Sequence, residues 1–468
     1  MIGVVAALAV PTVLGFLLVS VLLRDETNAG LLERLCLSYP LGAGVITVQM
    51  FLLGLMRMPL TLWVSAVPPL LEIAGLSFLM RKRRISLGSR LSFGLLSELL
   101  DSNVTWLRKS ALIALLTLVA AKICSIFIEA YLRPIFAWDS FANWSAGAKA
   151  FYYSHSLLLD TGPGDFFGRG LLNRNANYPP YNPLMQVWMS LWIGKFDEVL
   201  VKFWSPLYLL SMAVYFYLFM AREASRVMSL GMLVLFLSSP LLSVHSIEVY
   251  SDVPLSVYIL FSLIAFFKAM KGKSAYWTAV GLFAGEALFA KDEAPFFVIP
   301  LLIATFLFYW QNRLRGDVSG KSMFALCAGL LLAAPWFAFK FTHGLGFGAD
   351  YVTFEFTFRP EMIEKVFLLL LSFQNFNVFF FFSPLLLIMN WRPPREFLFL
   401  FFPVACYAIF FLLVYSLTTF FSGSLMFNTA VFRNTLTYYP STCLLTFLLI
   451  ANLISEYWAS TKSLFPNI

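Results

Sequence analysis

Three carboxylates, three cations and a histidine stand where this otherwise apolar chain breaks off. Asp139 lies in Trp138-Asp139-Ser140-Phe141-Ala142-Asn143-Trp144, soon after the apolar run 111–131. A carboxylate where a hydrophobic helix leaves the bilayer is costly to keep without a task. The aromatic residues around it suit a membrane–water boundary. Such a group accepts a proton from a hydroxyl as a bond forms, or orients an acceptor. The plainer alternative is an N-cap for a short amphipathic helix over 140–154. Lys149, on that helix, either meets a phosphate or reaches out from an apolar surface.

His245, Glu248 and Asp252 form a second acidic site in His245-Ser246-Ile247-Glu248-Val249-Tyr250-Ser251-Asp252-Val253-Pro254. Their i, i+3, i+7 spacing puts them on one face if the segment is helical. If it turns, Asp252 caps the next helix with Pro254 in its first turn. Asp139, Asp252 and His245 are the candidate ligands should a divalent cation be needed. No ligand spacing is diagnostic, so the cofactor stays open. Lys291-Asp292-Glu293 interrupts two apolar runs. Charges at that depth imply either a pocket lined by protein and water or a tight turn of local pairs. Lys291 suits a phosphate as a point charge. Arg433, before the last apolar run, either holds a phosphate by paired hydrogen bonds or anchors the chain at the interface. Glu286 is a further buried acid. Tyr178-Pro179-Pro180-Tyr181-Asn182-Pro183 is a rigid element ahead of the apolar segment 184–192, which is too short to cross and is expected at the interface.

The elements that position these residues follow from composition. The chain has 468 residues, 60% hydrophobic and 12% charged, with mean hydropathy +0.79. A soluble domain carries roughly a quarter charged residues, so an all-α integral membrane protein is expected. The net charge of +8 does not indicate nucleic acid, because the cations are scattered in short loops. Cys36, Cys124, Cys327, Cys406 and Cys443 all lie in apolar runs, which argues against a disulfide framework or a cysteine metal site. No phosphate-binding glycine loop, zinc-protease helix or nucleophile elbow is present, so nucleotide hydrolysis is not indicated.

Apolar runs predict about thirteen transmembrane helices, near 2–23, 35–56, 59–80, 110–131, 199–220, 227–244, 252–269, 276–290, 294–311, 322–341, 366–388, 398–417 and 435–455. The first run lacks a basic flank and a cleavage site and reads as a retained span. When the spans alternate, Arg81-Lys82-Arg83-Arg84, Arg108-Lys109, Arg222 with Arg226, Lys268 with Lys271 and Lys273, Arg313 with Arg315, and Arg392 with Arg395 share one side. That side is cytoplasmic by the positive-inside rule. The large first outer loop with Asp139, the 245–252 turn, Lys291 and Arg433 then all face outward. Residues 1–84 form an N-terminal three-helix segment and 85–109 a cytoplasmic linker, whose Leu91, Leu95, Leu96 and Leu99 suggest a short surface helix. Residues 110–468 form the catalytic membrane domain.

From about residue 111 onward the chain resembles the GT-C superfamily of polytopic glycosyltransferases, and within it the bacterial branch similar to protein mannosyltransferases and aminoarabinose transferases. The resemblance rests on order along one topology: Asp139 in the first large outer loop, Pro179-Pro180 late in it, Asp252-Val253-Pro254, Lys291-x-Glu293 after Gly281 and Gly285, and Arg433. The chain departs from that family in its extra N-terminal spans, and in Asp-Ser where the family shows two adjacent acids. The resemblance implies transfer of a sugar from a polyprenyl-phosphate donor to an envelope glycan, lipid or protein at the outer face of the plasma (inner) membrane. It gives Asp139 the role of catalytic base or acceptor-positioning group and maps the second acidic site to Asp252, then Glu248. Lys291 and Arg433 would hold the donor phosphate. A transporter or flippase for lipid-linked sugars, and a polysaccharide polymerase or ligase, are the alternatives. A transporter should show repeat symmetry and charges near the midplane, and neither is evident.

Overall fold

The computed structural model describes residues 1–26, 29–85, 94–162, 164–165, 168–173, 176–313, 320–348, 355–371, 375–390, 393–419 and 424–464. Leu91, Arg315 and Arg392 lie outside the described residues. Among those described the fold is helical, with no strand and an isolated bridge between Phe356 and Thr418. The helices are α1 (Ile2–Leu22), α2 (Leu31–Leu55), α3 (Leu62–Lys82), α4 (Gly94–Leu100), α5 (Trp106–Leu132), α6 (Ala146–Ser154), α7 (Tyr181–Ile193) and α8 (Trp204–Glu223). There follow α9 (Arg226–Leu237), α10 (Pro240–Ile247), α11 (Asp252–Met270), α12 (Tyr276–Ala290), α13 (Pro295–Arg313) and α14 (Gly320–Leu330). Last come α15 (Ala334–Thr342), α16 (Glu361–Leu371), α17 (Phe379–Met389), α18 (Arg395–Leu417) and α19 (Ser424–Leu464).

Ten helices of the described residues are long and apolar enough to cross a membrane, or eleven if α9 and α10 count as one span bent by 69°. The chain is a multi-pass membrane protein. The count falls below the expected thirteen for identifiable reasons. The run 276–290 makes a helix of only 15 residues, and 366–388 is divided between α16 and α17, each of 11. The expected last span, 435–455, is part of the 41-residue α19, so Arg433 sits on this helix and not ahead of it.

The two interrupted runs meet. Ser239 Oγ donates to the Asn375 carbonyl, and Asn377 Nδ2 donates to the Leu235 carbonyl at 2.9 Å and to Ser238 Oγ at 2.8 Å. Irregular backbone at membrane depth is tolerated where protein satisfies its polar groups, and these breaks satisfy each other.

The α2 helix runs through the middle of the bundle. Tyr39 Oη donates to the Trp204 carbonyl at 3.3 Å, and Tyr258 Oη donates to the Pro40 carbonyl at 2.9 Å. The boundary near residue 84 therefore divides the chain but not the core. Nor does α7 lie at an interface: it is buried nearly throughout, and Trp188 Nε1 donates to the Ala7 carbonyl of α1. The α4 helix is tied down through Glu98, which pairs with Arg108 and Arg226. By contrast α3 and α5 expose most of their apolar surface, as lipid-facing helices do.

A close approach sets the position of α12. A Cβ on Gly281 would stand 2.0 Å from the Leu326 carbonyl oxygen of α14, so these backbones touch. Small residues permit such contact between membrane helices. The packing fixes the end of α12, from which Lys291-Asp292-Glu293 turns into α13.

Candidate functional site

Asp139 opens a π-helical turn, Asp139–Ser145, that runs into α6. Such wide turns occur often at functional sites. The carboxylate makes no capping bond; its Oδ1 accepts from Asn143 Nδ2 at 2.9 Å, four residues along the same turn. Its other oxygen, Oδ2, accepts from Arg433 Nη1.

Asp252 begins α11 but does not cap it either. Both oxygens are spent on charge. Oδ1 lies 2.8 Å from Lys291 Nζ, and Oδ2 lies 3.3 Å from Arg433 Nε. Lys291 also reaches Glu293 at 2.9 Å. One guanidinium thus bridges Asp139 and Asp252, and one ammonium bridges Asp252 and Glu293. The i, i+3, i+7 reading of the second acidic site fails because α10 ends at Ile247 and the chain turns. His245 keeps its place beside Asp252, with Nδ1 3.3 Å from Oδ2 but poorly aligned for a hydrogen bond. The His245 ring stacks on Tyr250 at 4.1 Å, and the Arg433 guanidinium lies 5.1 Å from the Tyr250 ring centre.

Asp252 and Lys291 are almost wholly buried, while Asp139 and Arg433 keep about a quarter of their side-chain surface open, 25% and 24%. The site therefore opens on the Asp139 side. Burial works to lower the Lys291 pKa, but Asp252 and Glu293 hold it above the ordinary lysine range, so it stays cationic. Burial pushes the Tyr250 phenol up to about 12, which keeps it neutral beside the ion pairs.

Glu248 is drawn elsewhere. It pairs with Lys202 at 3.5 Å and accepts from the Ala137 amide at 3.4 Å, while Lys202 donates to the Pro134 carbonyl at 3.3 Å. Burial holds the Glu248 carboxyl above its usual range, against the pull of Lys202. This buried pair fastens the segment entering the Asp139 turn. Lys149 is also apart, paired with Glu198 at 2.5 Å on a half-exposed surface.

A buried polar chain joins the two acidic elements. Ser145 Oγ donates to Gln186 Oε1 at 2.7 Å, and Gln186 Nε2 donates to Asn182 Oδ1 at 2.8 Å. Asn182 Nδ2 then donates to the Val249 carbonyl at 2.7 Å and to Ser251 Oγ at 3.2 Å. Through α7 the Asp139 turn and the turn before Asp252 are held in one register. Below them, Asp292 pairs with Lys340 and accepts from the Gly348 amide at 2.8 Å, and Lys340 donates to the Asn177 carbonyl at 2.9 Å.

Sequence reading passes over Asn143, Lys202, Tyr250, Asn182 and Gln186. Asn143 has a usable signal, its i+4 spacing from Asp139 on a helical turn; Lys202 has another, a charge at the head of an apolar run. The remaining three carry no signal until the elements meet.

Among the described residues no group of three or more His, Cys, Asp and Glu side chains is arranged to hold a metal. Asp139 and Asp252 face Arg433 between them, so cations of the chain occupy the place between the proposed ligands. The arrangement can receive an anion on Arg433 and Lys291, and a hydroxyl proton on Asp139. No family model matches this chain, and comparison with characterised proteins and with solved structures returns no match.

Proposed function

We propose that this protein is a membrane glycosyltransferase of the GT-C type, moving a sugar from a polyprenyl-phosphate donor to a cell-envelope acceptor at the outer face of the plasma membrane. The observation that carries the reading is the single buried cluster in which Arg433 bridges Asp139 and Asp252 while Lys291 backs Asp252. The order of motifs given above supports it.

In this reading the donor's lipid chain stays in the bilayer and its phosphate competes with Asp139 for Arg433. As the guanidinium turns to the phosphate, Asp139 is released to act as base. The acceptor hydroxyl gives its proton to Asp139, its oxygen bonds to the sugar's anomeric carbon, and the carbon–phosphate oxygen bond breaks. The electron pair leaves with polyprenyl phosphate, whose charge Arg433 and Lys291 meet. One base and no covalent enzyme intermediate suffice for the inverting course that the family resemblance implies. Asp252 keeps both cations in place. Glu248 and Lys202 shape the Asp139 segment and take no part in the transfer.

A transporter of lipid-linked sugars is the competing reading. Its characteristic broken helices carry charge at the break. Here the breaks at Ser238 and Ser239 and at Asn377 carry neutral side chains.

The test is transfer from a radiolabelled panel of polyprenyl-phosphate sugars by purified protein with envelope extracts. Asp139→Asn should lose roughly 10²- to 10⁴-fold in rate while folding and donor binding persist. Equal transfer by both proteins removes Asp139 from the chemistry, and no transfer from any donor favours the transporter.

A further inference from the structure

The donor chemistry leaves unused a pocket beside the Asp139 turn. Its volume is about 40 Å³, and it is lined by Asn143, Trp144, Phe151, Arg169, Tyr178 and Pro180 among others. That space admits a hydroxymethyl group or the edge of a ring, with the rest of the molecule outside.

Four features describe its occupant. Trp144 and Tyr178 meet edge-on with ring centres 5.8 Å apart, giving a rigid wall with apolar faces and polar rims. The indole Nε1–H of Trp144 is buried and has no acceptor among the described residues. Leaving such a donor unmet is costly, so a ligand oxygen at this point is favoured. Arg169 stands exposed at the same pocket, its Nη1 3.4 Å from the Ala142 carbonyl. Asn143 belongs both to the pocket wall and to Asp139, whose Oδ1 it holds.

An apolar wall with an unmet indole donor buried in it and a guanidinium at its mouth matches a polyhydroxylated ring, which offers a C–H face and hydroxyl edges together. An aliphatic or peptide side chain would use the wall and leave the indole donor unmet. We infer that this pocket is the acceptor subsite and that the acceptor is a carbohydrate, held so that one of its hydroxyls lies across Asn143 toward Asp139. The inference rests on the glycosyl-transfer reading for the word acceptor, but the binding of a sugar ring here can be measured without turnover.

The experiment is saturation-transfer NMR on the full-length protein in detergent, without donor, using methyl glycosides of neutral hexoses, N-acetylhexosamines and uronic acids. Wild type and Asp139→Asn should both bind at least one glycoside. Trp144→Phe, which keeps the ring but loses the N–H, and Arg169→Ala, at an exposed position, should weaken it roughly tenfold. No binding to wild type, equal binding by all four proteins, or displacement of the glycosides by a serine- or threonine-bearing peptide overturns the inference. The same preparations separate it from the wider reading. Glycoside binding that depends on Trp144 and Arg169, with no transfer from any polyprenyl donor, sinks the transferase and leaves the carbohydrate subsite standing. Transfer that both pocket variants leave intact sinks the subsite alone.

Discussion

Arg433 is the residue on which the site turns, because its Nη1 and Nε meet two different carboxylates. A planar fork does this and a single ammonium does not. Arg433→Lys should keep the charge, leave Asp139 without its cation or Asp252 with Lys291 alone, and lower kcat/KM for the proposed donor roughly ten- to hundredfold; an unchanged value would exclude Arg433 from phosphate handling. Asp292 offers a pH-dependent counterpart outside this cluster. Its carboxyl, ordinarily near 3.8, is pushed up to about 7 by burial, against the pull of Lys340 and the Gly348 amide. The folded protein then holds a proton that the unfolded chain releases, so this contribution is full below pH 4 and is lost as pH rises to 7. Between pH 4 and 7 the wild-type thermal midpoint should fall relative to Asp292→Asn, and parallel curves would refute the assignment. At this scale the sequence is readable where a charge interrupts apolar residues, as at Asp139, Asp252, Lys291 and Arg433. It is not readable where partners decide. Glu248 and Asp252 belong to one acidic site in the chain, yet the turn after Ile247 sends one to Lys202 and the other to Arg433. Lys149 looks as apt for phosphate as Lys291 until Glu198 is found beside it.

The elements owe their positions to small residues as much as to apolar ones. Gly44 of α2 faces Glu286 of α12, and a Cβ there would stand 1.8 Å from Glu286 Oε2. Glu286 is fully buried and both its carboxyl oxygens lack hydrogen-bond partners among the described residues. Gly44→Ala should therefore destabilise the protein by about 1–3 kcal/mol, the usual cost of overpacking. Adding Glu286→Ala should recover most of it, giving a coupling energy above about 0.5 kcal/mol in a double-mutant cycle of thermal or denaturant stability. Additive effects would show that the two helices adjust independently. The apolar runs give the existence of most helices, since about 20 apolar residues leave a chain few options in a bilayer. They do not show where a run is broken. The interruption between α9 and α10 follows from Ser238-Ser239-Pro240, a cap and a proline that start a new helix. The split between α16 and α17 becomes intelligible only through Asn375 and Asn377, which dock on that first break.

Across the whole molecule the charges fall at two ends of the bundle. Lys268 lies sixteen residues after Asp252 on α11, roughly 24 Å along the axis. There it joins Arg222, Tyr276 and Glu33 in a second buried ionic cluster, with Arg222 Nη2 2.7 Å and Tyr276 Oη 2.6 Å from the Glu33 carboxylate. Lys271 and Lys273 follow Lys268, and Arg226 follows Arg222, so the proposed outward-facing Asp139 site accords with the positive-inside rule. Orientation also bears on the proposed chemistry, because the proposed polyprenyl donor would be reached from the side on which Asp139 opens. With Cys36, Cys124, Cys327, Cys406 and Cys443 replaced, single cysteines at Arg169 and at Lys273 report the two ends. A membrane-impermeant maleimide applied to intact spheroplasts should label position 169 and spare 273 until the membrane is opened. The reverse pattern would place the Asp139 site in the cytoplasm, where the donor would have to be presented on the inner leaflet and the acceptor could no longer belong to the outer envelope.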